Sequence, residues 1–228
     1  MQNVEYLKNP NQRTPCLLIL DASGSMGETR ISGKKPIDEL YHGLKLLEEN
    51  LKEDSTALSR VQLAIVSVGG PLKKASVLMD WTDCINFEAF PLRADGLTPL
   101  GEALMLGFDL IDELKSNLRK SGISYTRPWI FVMSDGEPTS PPEIWKAAVE
   151  RCQLAQEQKK VEIFSIAVEG ANIEQMSSIS VKPVLKVGDV KFKELFVWLT
   201  ASLSVASRSR PGDTLSLPST DPWRHVGI

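Results

Sequence analysis

The fold is decided by the stretch Cys16-Leu17-Leu18-Ile19-Leu20-Asp21-Ala22-Ser23-Gly24-Ser25. Its first five residues are all apolar, which is typical of a central strand covered on both faces. The loop that follows is rich in oxygen atoms. Two further polar segments appear later in the chain. Thr98-Pro99 opens an amphipathic helix, and Ser134-Asp135-Gly136 follows a second apolar run.

The gross composition excludes several classes of function. The chain has 228 residues and a net charge of −3 with both signs interspersed, so it lacks the basic stripe of a nucleic-acid-binding protein. No run approaches about 18 apolar residues, which predicts no membrane-spanning helix, and the polar N-terminal residues lead us to expect no signal peptide. Three widely spaced cysteines predict free thiols in a reducing compartment. We therefore expect a cytoplasmic protein.

Apolar periodicity predicts alternating strands and helices, and hence a mostly parallel sheet in an α/β fold. The expected strands span residues 13–20, 61–68, 75–81, 129–133, 161–168 and 184–187. Residues 61–68 and 75–81 form an antiparallel hairpin, since only a short turn joins them. The expected helices begin near Pro36, Pro99, Pro142 and Asn172, and the last one spans residues 192–205. We divide the chain into an extension (1–13), one domain (14–206) and a Ser- and Pro-rich tail (207–228).

Five side chains from the three loops form a candidate metal site: Asp21, Ser23, Ser25, Thr98 and Asp135. In an open α/β sheet, ligands gather beyond the carboxyl ends of strands where the strand order reverses. Hydroxyl and carboxylate oxygens suit Mg²⁺, with Mn²⁺ and Ca²⁺ as alternatives. Two carboxylates only balance a divalent ion, so an Asp or Glu of a protein partner is the expected further ligand.

Each segment alone also has an ordinary interpretation. Ser23-Gly24-Ser25 and Asp135-Gly136 are typical turn sequences. Thr98 followed by proline is typical of a helix N-cap. The metal site is favoured because all three segments occur together, in the order and context that one site requires.

The motif Asp21-Ala22-Ser23-Gly24-Ser25, with Thr98 and Asp135, resembles the metal-ion-dependent adhesion site of von Willebrand factor A domains. The resemblance spans about residues 14–205. It implies a three-layer, Rossmann-like fold: a six-stranded sheet with one antiparallel edge strand and helices on both faces. It also implies that Ser23 and Ser25 coordinate the metal directly, while Asp21, Thr98 and Asp135 act directly or through water. The last helix corresponds to an element that shifts in integrin-type relatives, and a fixed scaffold is our default expectation here.

Two segments resemble a subfamily more closely. They are Leu97-Thr98-Pro99-Leu100-Gly101-Glu102-Ala103-Leu104 and Arg127-Pro128-Trp129-Ile130, the latter leading to Asp135-Gly136-Glu137-Pro138-Thr139. Both are similar to the bacterial TerY-type proteins of tellurium-resistance clusters. That resemblance implies a metal-dependent scaffold in a stress response, associated with a serine/threonine protein kinase and a PP2C-type phosphatase.

Two other functions compete with this hypothesis. A Mg²⁺-dependent phosphate-ester hydrolase of the haloacid dehalogenase kind also starts with an aspartate at a strand end. It needs a second aspartate two residues later, where this chain has Ser23. With no nucleotide loop and no histidine in the motif loops, we expect no enzyme. The other competitor is a metal-free interaction module, in which the loops serve only as turns.

Charged loops flank the predicted site, and we expect them to set specificity if they do more than remain solvated. They carry Arg30, Lys34, Lys35, Glu137 and Glu143. In the tail, Trp223 stands beside Asp221 and Pro222, and the sequence leaves two interpretations open. The tail is either a disordered end or a short docking peptide, for a partner or for the domain itself.

Overall fold

A six-stranded sheet forms the middle layer of the protein. The computed structural model describes residues 9–135, 137–187, 192–210 and 212–219. The strands are β1 (Thr14–Ala22), β2 (Val61–Gly69), β3 (Ser76–Asp83), β4 (Trp129–Ser134), β5 (Glu162–Ala167) and β6 (Leu185–Lys186). Their order is β3-β2-β1-β4-β5-β6. All neighbours pair in parallel except β2 and β3, so the one antiparallel strand lies at an edge, as predicted.

Helices cover both faces of this sheet. They are α1 (Pro36–Glu53), α2 (Ser55–Arg60), α3 (Leu100–Lys120), α4 (Pro142–Glu157), α5 (Ile173–Ser178) and α6 (Phe192–Arg208). Two short 3₁₀ turns follow β1 and β3, at Gly24–Gly27 and Cys84–Asn86. This three-layer α/β architecture confirms the predicted fold class. Within the described residues, no helix is both long and apolar enough to cross a bilayer.

Strand β1 is buried along its whole length because both of its faces pack on helices. Leu18 and Leu20 face the layer formed by α1, α2 and α6. Leu17 and Ile19 face the opposite layer, formed by α3, α4 and α5. Successive side chains of a strand point to opposite faces, so an uninterrupted apolar run supplies both cores at once. This is why β1 occupies the centre of the sheet.

Part of the tail packs on the domain. Helix α6 continues to Arg208, and the chain after it returns along the domain. Leu215 and Leu217 pack against the core cluster on the α1 and α6 side. The indole Nε1 of Trp198 donates a hydrogen bond to the carbonyl of Pro218 at 2.9 Å. The hypothesis about Trp223 lies outside the described residues.

All three cysteines are buried and carry free thiols, as the spacing predicted. Burial raises the pKa of Cys16, Cys84 and Cys152, to about 12 for the last two. A thiol held in its neutral form behaves as a small apolar side chain. The cysteines are therefore packing residues.

Candidate metal site

The predicted loops meet where the strand order reverses. Strand β1 lies between β2 and β4, and Leu20 pairs with Met133. The next residue of each strand, Asp21 and Ser134, therefore stands at the same edge of the sheet. After β1 the chain continues to β2 on one side, and after β4 it continues to β5 on the other side. This divergence creates the crevice where α/β proteins bind ligands.

A continuous chain of hydrogen bonds joins the two carboxylates. Asp21 accepts from the Ser134 hydroxyl at 2.5 Å through Oδ2 and from the backbone N–H of Ser23 at 2.8 Å through Oδ1. The hydroxyl oxygens of Ser23 and Ser25 lie 3.0 Å apart. Ser25 then donates to Oδ1 of Asp135 at 2.7 Å. Four of the five predicted residues thus form one cluster.

The direction of these bonds leaves oxygen lone pairs available. The single proton of the Ser25 hydroxyl goes to Asp135, so the hydroxyl of Ser23 must donate to Ser25. A hydroxyl oxygen has two lone pairs, and that of Ser25 accepts one bond. Both serine oxygens therefore keep at least one lone pair for a cation.

Both carboxylates are buried, and burial makes their ionised forms unfavourable. Burial raises the pKa of Asp21, against the hydrogen bonds from Ser134 and Ser23, and the charge of Asp135 raises it further. Burial also raises the pKa of Asp135, against the hydrogen bond from Ser25 and the charge of Arg30. A pair of desolvated carboxylates is a frequent mark of a binding site, because a bound cation offsets the cost.

Thr98 lies in the neighbouring loop and is buried. This loop is tied to the first one by two backbone hydrogen bonds, from Gly24 N–H to Gly96 C=O at 3.0 Å and from Asp95 N–H to Ala22 C=O at 2.9 Å. Among the bonds of the described residues, the serine and aspartate chain does not include the Thr98 hydroxyl. The structure therefore places Thr98 beside the cluster without joining it.

The N-cap interpretation of Thr98 is wrong. Helix α3 begins at Leu100 with Pro99 at the N-cap position, and the N–H of Gly101 in its first turn donates to the Ser140 hydroxyl at 2.8 Å. The backbone of Thr98 instead pairs with Thr139 in the loop after β4. Its N–H donates to the Thr139 hydroxyl at 3.0 Å, and its carbonyl accepts from the Thr139 N–H at 2.8 Å. Thr98 thus holds the second and third loops together.

Two residues of the site were not among the predicted ligands. Ser134 fixes Asp21, and its place directly before Asp135 was the only signal for it. Arg30 was expected on the rim of the site, yet its guanidinium donates to Oδ2 of Asp135 and forms an ion pair with it. Nothing local in the sequence shows that this loop arginine reaches a carboxylate 105 positions away.

The donor set fits a hard cation such as Mg²⁺, which prefers oxygen ligands and keeps some waters. Two buried carboxylates and two hydroxyls with lone pairs lie together, and a positively charged guanidinium already contacts one carboxylate. No group of three or more His, Cys, Asp or Glu side chains is placed to hold a metal in the described parts of the chain. The site therefore depends on its hydroxyls, and a soft-metal centre of Cys and His ligands is not present among these residues.

Comparison of the sequence finds no matching family model and no matching curated protein. Solved structures show the fold. The pilus adhesin SpaC of Lactobacillus rhamnosus GG matches with a TM-score of 0.65 at 14% identity, over 86% of this chain and 32% of that one. A von Willebrand factor type A protein of Catenulispora acidiphila matches with a TM-score of 0.61 at 16% identity, over 85% and 43% of the two chains.

A third structure corresponds to the domain alone. The vWF domain of the type V pili tip protein Mfa5 of Porphyromonas gingivalis matches with a TM-score of 0.59 at 12% identity, over 90% of this chain and 99% of that one. The chain spans less than half the length of the SpaC and Catenulispora chains. The protein therefore has the fold of von Willebrand factor A domains, in agreement with the resemblance found in its sequence.

Proposed function

We propose that this protein is a metal-dependent protein-interaction module. Its site holds Mg²⁺ through Asp21, Ser23, Ser25, Thr98 and Asp135, and an Asp or Glu of a partner protein completes the coordination. One observation carries the proposal: hydrogen bonds through two serine hydroxyls link carboxylates from the ends of two adjacent parallel strands. The fold supports it, because von Willebrand factor A domains are typically interaction modules.

Accessibility and charge favour a partner carboxylate as the last ligand. Ser25 is half-buried and Gly24 is exposed, so the site opens to solvent on the side of the first loop. Two carboxylates only neutralise a divalent cation, and hydroxyls add no charge. One further carboxylate leaves the site with a single excess negative charge and adds an oxygen of the kind that such a cation prefers, and a protein side chain can supply it across an interface.

The same geometry supports binding rather than turnover. A hydrolase of the haloacid dehalogenase kind needs a second carboxylate two residues after the first. Here Ser23 holds that position, its N–H bonded to Asp21 and its hydroxyl paired with Ser25. We therefore propose no catalytic role. A phosphate-ester hydrolase activity that is present in the wild type and lost in Asp21→Ala would contradict this proposal.

We further propose the setting of a bacterial stress response in the cytoplasm, such as tellurium resistance, with a protein kinase or PP2C-type phosphatase as partner. The resemblance to TerY-type proteins supports this setting. The two segments that carry the resemblance meet at the site. Besides the pairing of Thr98 with Thr139, the N–H of Gly101 donates to the Ser140 hydroxyl at 2.8 Å. The structural neighbours, at 16% identity or below, contribute the fold and no partner.

A metal-free interaction module is the second candidate, and one contact favours it. The guanidinium of Arg30 pairs with Asp135 and so supplies positive charge without any metal. In that case the loops form a fixed surface and divalent ions change nothing.

Thermal unfolding in Mg²⁺ and in EDTA separates the two candidates. A ligand that binds only the native state at ten times its Kd adds about 1.4 kcal/mol of stability. For a chain of this size that raises the Tm by about 3–6 °C. We expect this shift for the wild type, its loss in Ser25→Ala and Thr98→Val, and its retention in Ser32→Ala, a control in an exposed part of the same loop. Equal Tm values in Mg²⁺ and EDTA would favour the metal-free module.

The partner is then identified by capture from native cytoplasm, in Mg²⁺ and again in EDTA. A kinase or phosphatase retained only in Mg²⁺, and lost with Thr98→Val, is the expected result. Capture of the same proteins under both conditions would place the interface outside the metal site.

A further inference from the structure

Arg30 is held in a closed loop between the 3₁₀ turn and α1. Its N–H donates to the carbonyl of Lys34 at 2.8 Å, and its carbonyl accepts from the N–H of Gly33 at 2.9 Å. Gly33 has a φ of +80°, a conformation that favours glycine. Ile31, at the tip, is 98% exposed. The backbone of Arg30 is therefore anchored while its side chain points back into the site.

Among the described residues, the guanidinium of Arg30 is the positive charge that contacts a candidate ligand, Asp135. Its side chain is 20% exposed, and the side chain of Asp135 that it pairs with is 0% exposed. Asp135 uses its two oxygens differently: Oδ1 accepts from Ser25, and Oδ2 accepts from Arg30. The ion pair thus occupies one oxygen of a candidate metal ligand.

This arginine is incompletely satisfied. A guanidinium has five N–H donors, and buried donors without partners are costly. The Nε of Arg30 is buried and has no hydrogen-bond partner in the part of the chain that the structure describes. The unpaired Nε makes this ion pair costly, so a divalent cation that contacts both carboxylates can displace it.

The guanidinium of Arg30 and a divalent metal ion are alternative partners for the same negative charges. Asp21 and Asp135 together carry two negative charges when ionised, and Arg30 offsets one of them. A divalent cation bound to the same carboxylates offsets both, and it repels a guanidinium held beside it. Arg30 and the metal therefore oppose each other at Asp135.

We propose that Arg30 is a tethered cation that competes with the divalent metal for Asp135 and so sets the metal affinity of the site. The inference rests on the proposed function, because it requires that the site bind a metal. Arg30 is not itself a metal ligand. Its role is to stabilise Asp135 in the metal-free protein and to yield to the metal when it binds.

The test is calorimetric titration of the full chain with Mn²⁺, comparing the wild type with Arg30→Met and Lys34→Met. Lys34 lies in the same loop, is about half exposed and pairs with Glu39 at 3.2 Å, so its removal matches the loss of charge without touching Asp135. We expect Arg30→Met to bind Mn²⁺ at least about tenfold more tightly than wild type, and Lys34→Met to stay within about twofold. In EDTA, Arg30→Met should also melt at a lower temperature than Lys34→Met, since Asp135 loses its counter-ion.

Each alternative result is decisive. If Arg30→Met binds no more tightly than wild type, or if Lys34→Met tightens binding equally, the competition proposal is wrong while the metal site stands. If none of the three folded proteins binds Mn²⁺, the proposed function fails, and the inference about Arg30 fails with it. Thermal unfolding of each variant verifies that it is folded.

Discussion

Helices α1 and α6 pack closely where Gly43 meets Phe196, and this contact allows a sharp prediction. Gly43 of α1 and Phe196 of α6 are both buried. A Cβ atom added at Gly43 would lie 2.1 Å from Cδ2, 2.4 Å from Cε2 and 2.9 Å from Cγ of the Phe196 ring. Carbon atoms in contact sit about 3.5–4.0 Å apart, so the ring or the helix must move by about 1.5 Å.

Gly43→Ala should therefore destabilise the protein. Replacing glycine by alanine inside a helix gains about 1 kcal/mol of intrinsic helix stability. Overpacking a core costs about 1–3 kcal/mol, and this site belongs at the upper end because the ring has no exposed edge toward which to move. We expect a net loss of about 2 kcal/mol in the free energy of unfolding, and a Tm lower by about 4–8 °C.

Urea unfolding of a double-mutant cycle measures this effect. The variants are Gly43→Ala, Phe196→Leu and the pair of both, each analysed with an unchanged m-value. Because the smaller leucine relieves the clash, the double variant should lose less free energy of unfolding than the two single variants lose in sum. We expect the difference to be about 0.5–3 kcal/mol. A Gly43→Ala protein as stable as wild type, or strictly additive costs, would refute the packing argument.

Two further predictions concern the buried thiols and the tail. Native protein should not react with a thiol reagent at pH 8, because burial raises the pKa of Cys84 and Cys152 to about 12, and three thiols should react after unfolding. Since the unfolded chain loses these protons near its ordinary pKa of about 8.5, stability should fall as the pH rises from there, and urea unfolding at several pH values measures it. Ending the chain at Arg210 should lower the free energy of unfolding by more than about 1 kcal/mol, since it removes the hydrogen bond from Trp198 to Pro218 as well as the contacts of Leu215 and Leu217. Stability unchanged by the truncation would show that the contacts of Leu215 and Leu217 contribute nothing, and unweakened partner capture would remove the docking-peptide hypothesis.

Local patterns predicted most of the architecture. The apolar run before Asp21 identified a strand covered on both faces, and the short turn after β2 identified the antiparallel hairpin. Alternating strands and helices then predicted a parallel sheet. These features are readable because burial and turn formation act on residues close together in the chain, where side-chain spacing records them directly.

The candidate ligands could also be predicted from the sequence, but the contacts that hold Thr98 could not. Oxygen-rich loops after two predicted strands identified Asp21, Ser23, Ser25 and Asp135, and strand adjacency brought them together. Thr98 was named for the site, but its alternative role as an N-cap was wrong. The following proline takes that place, and the backbone of Thr98 pairs with Thr139 instead. This pairing depends on how two distant loops meet.

The sequence by itself determined the order of elements, the two-sided burial of β1 and the chemical nature of the candidate ligands. Only the tertiary structure decided that Arg30 pairs with Asp135, that Ser134 fixes Asp21, and that the tail returns to pack on the domain. The physical reason is the distance along the chain over which each interaction acts. Periodicity and turn chemistry are local, whereas the partner of a charged loop side chain or a terminal leucine depends on the path of the whole chain around the sheet.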